Sequence, residues 1–228
     1  MSLTLNPPET GSATVKEHSV VLHSISWATY ESLLKDLADC SAPRVTYDRG
    51  ELEIMSPTPE HELINDAVRL LVNIVAEELN VEVRGLGSTT FRRKDFRRGF
   101  EPDACFYIAN VERIIGKTRL DLKIDPPPDL IIEVDITSPS LDKFPLFAQL
   151  GVPEVWRYAG AKLTIYQLAD GIYVERETSI SLTRVKGEAV GQLLHESQGP
   201  SRLAWIRRVR AWARSLKEDD EDDKANES

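Results

Sequence analysis

Two acidic residues stand where hydrophobic strands begin or run. Asp103 follows Pro102 at the head of the apolar stretch DACFYI. Glu133 lies inside PDLIIEVDI, with Asp135 two positions further on. Alternate residues of an extended chain share a face, so Glu133 and Asp135 point the same way. A carboxylate among apolar side chains is costly unless it is paired or bound to a cation. Two or three carboxylates converging from neighbouring strands make a hard oxygen set suited to Mg²⁺ or Mn²⁺. One strand acid alone is better explained by a salt bridge or a water-exposed strand end. The combination is what points to a metal.

The elements around these acids follow from local patterns. PPPDLIIEVDI has a continuous apolar run behind a proline block, which predicts a central strand buried on both faces. Upstream, Ser26 can cap a helix whose Trp27, Tyr30, Leu33, Leu34 and Leu37 fall on one side. RVTYDRGELEIM reads as a hairpin turning at Asp48-Arg49-Gly50. A helix then starts at Pro59, with Glu60 and Glu62 at the positive end of its dipole. Its apolar period (Leu63, Ile64, Ala67, Leu70, Leu71, Ile74, Val75) runs to about Leu79. Short strands are expected near VEVRGLG, STTFRRK and DACFYI. A short helix from about Leu141 to Leu150 should stop at Gly151. EVWRY and KLTIYQL read as strands joined at Ala159-Gly160-Ala161. Strands, helix and strands again, without internal repeat, imply an α/β fold with one mixed sheet flanked by helices.

The 228 residues suffice for one such domain, expected over 21–200. A flexible arm is expected over 1–20, a basic amphipathic helix over 201–216, and a disordered acidic tail over 217–228. The net charge of −9 is unevenly spread. Residues 217–228 hold seven acids and two lysines, and residues 1–216 carry only the remaining −4. Arg202 to Lys217 has six basic residues and no acids. Packing of this helix on the domain and DNA binding or dimer formation are the two readings of it. A second basic cluster, Arg92, Arg93, Lys94, Arg97 and Arg98, flanks Asp103. It is suited either to gripping a phosphate backbone without reading sequence or to a solvated hairpin. No stretch approaches the ~18–20 apolar residues of a membrane span, and no secretion leader is apparent. With Cys40 and Cys105 far apart, a reducing cytoplasm is the expected location, and Cys105 reads as a small buried residue.

Pro102-Asp103, then Glu133-x-Asp135, then Lys143 resembles the PD-(D/E)XK nuclease signature, with Asp135 where the motif has lysine. The succession GELEIMSPTPEH, EPDACFYI, PDLIIEVDITSPS, DKF and GVPEVWRY resembles, over roughly residues 25–170, the Uma-type family of predicted restriction endonucleases. That resemblance implies a restriction-endonuclease-like core and nuclease ancestry. It maps the family's functional positions onto His61, Asp103, Glu133 and Lys143. Asp103 and Glu133, with the Val134 carbonyl and Asp135 as a further candidate ligand, would hold one or two Mg²⁺ or Mn²⁺. Lys143 would position the attacking water or steady the charge on phosphorus. On chemistry alone, Lys143 reads equally as a surface lysine and His61 as a cap or packing residue.

The implied function is a metal-dependent endonuclease acting on DNA, with a homodimer as a plausible way to cut both strands. Two alternatives differ in class. One is a nuclease fold that has lost catalysis and binds nucleic acid or assembles. The other is a small-molecule metal phosphodiesterase, against which stands the lack of a phosphate-cradling glycine loop. A Ser or Cys hydrolase lacks its G-x-S-x-G elbow.

Overall fold

The computed structural model describes residues 18–38, 40, 43–136 and 141–226. Its strands fall into two sheets rather than the one expected. The first begins with the hairpin β2 (Arg44–Asp48) and β3 (Glu51–Ser56). Arg49 and Gly50 both take positive φ at its turn, the backbone that a tight two-residue connection requires. β1 (His18–Leu22) pairs with β3, and β6 (Arg98–Phe100) joins β2 to the short β5 (Phe91–Arg93). The order is β1-β3-β2-β6-β5, antiparallel throughout. Residues 18–20 of the stretch expected as a flexible arm belong to β1, which adds a strand to an edge that β3 leaves open. Residues 1–17 of that arm lie outside the described residues.

This sheet has a small core of its own, which is why it separates from the other. α1 (Trp27–Asp36) is capped by Ser26, whose Oγ accepts from the Thr29 amide. The helix lays Trp27 and Tyr30 against Tyr47, with the two tyrosine rings stacked at 5.0 Å. Gly99 of β6 lies directly under the Tyr30 ring, where any Cβ would clash with its hydroxyl.

The second sheet is mixed and carries the strongest sequence signal at its centre. β4 (Arg84–Gly87), β7 (Ala104–Tyr107), β8 (Leu130–Asp135), β9 (Glu154–Ala159), β10 (Lys162–Ala169) and β11 (Ile172–Arg176) take the order β11-β10-β9-β8-β7-β4. β8 and β9 are parallel and every other pair is antiparallel. β8 is buried on both faces, as its apolar run predicts. Leu130, Ile132 and Val134 face a core formed with α2 (Pro59–Leu79), α5 (Gly187–Glu196) and α6 (Arg202–Asn226). Ile131 faces the opposite core, with Phe100, Cys105 and α4 (Phe144–Leu150). The short α3 (Val111–Ile114) covers Tyr107. β11 and α5 had no clear counterpart in the sequence patterns.

The C-terminal helix packs on the domain. Trp205, Val209 and Ala213 are buried in the main core, and the Trp205 indole N–H donates to the Leu193 carbonyl at 2.7 Å. Arg210 and Arg214 pair with Glu77 and Glu78 of α2, Arg202 with Asp66, and Arg208 with Glu196. α6 continues to Asn226, through most of the stretch expected as an acidic tail. Lys, Glu and Ala at 217, 218, 221, 224 and 225 are strong helix formers, and opposite charges recur four apart at Lys217/Glu221 and Asp220/Lys224. Residues 227–228 lie outside the described residues.

Candidate active site

β-ladder register brings the two sequence-predicted carboxylates together. Ala104 of β7 stands opposite Ile132 of β8, so Asp103, one residue earlier, comes opposite Glu133. Period-two alternation puts both on the face away from the main core, beside Cys105 and Ile131. Asp103 Oδ2 accepts the Val134 amide at 2.6 Å, which ties the head of β7 to β8 directly. Both acids are buried, at 2% and 5% exposure, so neither is a solvated strand end.

α2 supplies the next layer. Thr58 caps it, its hydroxyl accepting from the His61 amide, and Pro59 opens the first turn. That cap places His61 and Asn65 on the inward side one turn apart. His61 Nε2 lies 3.2 Å from Asp103 Oδ2, and Asn65 donates to the Asp103 backbone carbonyl at 3.1 Å. Burial, with Arg44 and Lys143 nearby, pushes His61 down to about 4, so its ring is neutral at physiological pH.

α4 supplies the lysine. Lys143 is its N-cap residue, and its ammonium donates to Glu133 Oε2 at 2.6 Å. Its side chain is 14% exposed, which removes the surface-lysine reading. Burial works against the charged ammonium, but the adjacent Glu133 carboxylate outweighs it and raises its pKa. Burial pushes the Glu133 carboxyl up from the usual carboxylate range despite Lys143. The other oxygen, Glu133 Oε1, is buried with no hydrogen-bond partner among the described residues.

Several residues of the site were not singled out in the sequence. Arg44, at the head of β2, pairs with Asp103 and, at 2.7 Å, with Glu62. Glu53 of β3 is buried and acts electrostatically on Lys143. Arg157 of β9 pairs with Asp135 at 2.5 Å. A buried arginine beginning an apolar strand, and an arginine at an inward position of EVWRY, were the available signals.

The basic cluster divides. Arg98 is buried, bonded to both Asp48 carboxylate oxygens (2.8 and 3.1 Å), to the Pro145 carbonyl and to Gln149. It braces α4 against the first sheet. Arg93 chelates Asp95, donates to the Leu122 carbonyl and lies 4.0 Å over the Phe96 ring. Arg92, Lys94 and Arg97 are exposed. Residues 137–140, which follow the E-x-D sequence, lie outside the described residues.

The donor set fits a hard divalent cation as a two-carboxylate site. Glu133 Oε1 is a buried oxygen without a hydrogen-bond partner among the described residues, and Mg²⁺ commonly takes one or two carboxylates and completes its shell with water and phosphate. Among the described residues no group of three or more His, Cys, Asp or Glu side chains is arranged for a metal. No helix among them is long and apolar enough to cross a membrane.

No curated protein matches this chain significantly. Among solved structures, one described as a "putative nuclease belonging to DUF820" from Anabaena variabilis is similar at 15% identity. The match covers 83% of this chain and 99% of that one, with a TM-score of 0.47. The family model Uma2, described as "Putative restriction endonuclease", matches residues 27–194, and the chain belongs to that family.

Proposed function

We propose that the protein is a metal-dependent endonuclease acting on DNA. The observation that carries this reading is the convergence of Asp103, Glu133 and Lys143 at one buried point, in a chain of a nuclease family. Asp103 and Glu133, with the Val134 carbonyl, would hold one or two Mg²⁺ or Mn²⁺. When bound, the cation supplies charge neutralisation at the phosphate and a lower pKa for the attacking water.

The protein's own groups do the rest. The Val134 amide and Asn65 fix the carboxylate and backbone of Asp103, so its oxygens need no reorganisation during reaction. Neutral His61 packs against the same carboxylate without adding charge. Lys143 stays protonated, so it donates hydrogen bonds and does not act as a base. It orients water toward phosphorus or steadies the growing charge on the phosphoryl oxygens. Exposed Arg92, Lys94 and Arg97 supply backbone contacts that add affinity without reading sequence.

A second reading, a non-catalytic nucleic-acid module, is favoured by the ion pairs that Asp103 and Glu133 already make with Arg44 and Lys143. Cleavage of supercoiled plasmid and single-stranded DNA with Mg²⁺ or Mn²⁺ separates the two. Cutting that needs metal and disappears in Asp103→Ala and Glu133→Ala supports the nuclease. DNA binding without cutting under either metal supports the module.

A further inference from the structure

The place that the nuclease signature gives to lysine is held here by Asp135. That acid shares one recess with Glu133. It pairs with Arg157, which stands directly beside Glu133 in the parallel β8–β9 register. Asp103, Glu133 and Arg157 thus form a row across three adjacent strands on one face of the sheet. Arg157 and Lys143 both line one open recess of about 200 Å³, together with Glu133, Asp135 and Asp142.

The bonding of Arg157 decides what it offers. Asp135 accepts from Nε only, at 2.5 Å, and the two Nη groups make no hydrogen bond among the described residues. The side chain is 34% exposed, open to the recess while its stem is held. A guanidinium fixed through Nε presents its remaining donors as a preset fork, a geometry suited to phosphate oxygens. Charge agrees with this use. Among the described lining residues, three carboxylates against two cations give a net −1, which repels phosphate, and one divalent cation at Glu133 would reverse it to +1.

We infer that Arg157 is a phosphate-binding residue of this site, facing Lys143 across the recess, and that Asp135 is its positioning residue and not a metal ligand. The signature's displaced cation is thereby supplied twice, from α4 and from β9. The inference rests on the nuclease reading for its substrate, a phosphodiester. Its test uses inorganic phosphate, so the two can fail separately.

Phosphate binding to the full chain in Mg²⁺ is measured by calorimetry for wild type, Arg157→Gln, Arg157→Lys, Asp135→Asn and the Gln/Asn double variant. Mg²⁺ affinity and melting temperature are recorded beside it. The expected result is a loss of about tenfold in phosphate affinity in Arg157→Gln, partial recovery in Arg157→Lys, and a smaller loss in Asp135→Asn. The double variant should match Arg157→Gln within about twofold, because residues acting as one unit are not additive. Mg²⁺ affinity should stay unchanged in Asp135→Asn. Phosphate binding absent from wild type, or unaffected by Arg157→Gln, overturns the inference even if DNA is cut. Tighter phosphate binding in Asp135→Asn shows that the acid merely competes for Arg157 and overturns its positioning role. Weakened Mg²⁺ binding in that variant makes Asp135 a ligand and does the same. Wild type that binds phosphate through Arg157 yet cuts no DNA leaves the inference standing and refutes the nuclease reading.

Discussion

Replacing Lys143 with methionine removes a charge and keeps most of the side-chain volume. In a surface lysine this change would cost almost nothing, because exposed ion pairs contribute about 0–1 kcal/mol. Here the two side chains are 14% and 7% exposed and bonded at 2.6 Å, and Glu133 Oε1 already lacks a partner among the described residues. Removing one member of a buried pair typically costs about 3–5 kcal/mol, since the other charge stays behind uncompensated. For a chain of this size each kcal/mol lowers the melting temperature by roughly 2–4 °C, giving a fall of roughly 6–20 °C. Adding Glu133→Gln should restore much of that loss, because the stranded charge is gone. Mg²⁺ should raise the melting temperature of the single variant, since a cation at Glu133 replaces the missing ammonium. Calorimetric melting of the wild type and both variants, with and without Mg²⁺, measures all of this. A Lys143→Met variant melting within about 2 °C of wild type would show that the pair is not buried as described, and the placement of α4 at the site would fall with it.

Other consequences concern the surroundings. Arg92→Glu, Lys94→Glu and Arg97→Glu together should weaken DNA binding and reduce the slope of log affinity against log salt by about 0.9 for each phosphate no longer neutralised, whereas an unchanged slope removes the hairpin from the interface. Asp48→Asn tests the brace beneath α4. Burial raises the Asp48 carboxyl, but its bonds to Arg98 and Arg49 prevail and hold its pKa below the usual range. Its folded-state value is thus depressed, so its stabilisation is present above the ordinary carboxylate range and is lost as pH falls through the folded value. The variant should be less stable at neutral pH, with the gap to wild type closing below about pH 4, and a gap independent of pH refutes the pair's role. Trp205→Ala should cost about 3–5 kcal/mol in denaturant titration, as a 5% exposed indole and its bond to Leu193 are removed together; a cost under about 1 kcal/mol would mean that α6 is not docked.

What the sequence revealed and what it hid have a common physical basis. β8 was legible because an apolar run, buried at five consecutive positions from Leu130 to Val134, follows a proline block, and Glu133 was legible because an acid interrupts that run. The start of α2 at Pro59 and a short α4 stopping at Gly151 follow from signals confined to a few residues, although α4 begins at Phe144 and not at about Leu141. Arg157 was hidden because its meaning lies in ladder register: it stands beside Glu133 although 24 positions separate them. Arg44 likewise reaches Asp103 from another sheet. Local pattern also overstated the basic hairpin, since nothing in R-R-K-x-x-R-R tells that Arg98 turns inward to Asp48 while Arg92 stays in water. The second sheet escaped notice for a similar reason. The antiparallel sheet packs its own core partly through Gly99 admitting Tyr30, a contact between residues far apart in the chain.

The central claim is that Asp103 and Glu133 jointly hold a divalent cation. Calorimetric titration of Mn²⁺ into wild type, Asp103→Asn and Glu133→Gln tests it without any assumption about substrate. The account predicts binding by the wild type that weakens at least about tenfold in each variant, while both variants stay folded. Wild-type binding that neither substitution weakens would place the metal elsewhere, and no binding by the folded wild type would contradict the claim outright.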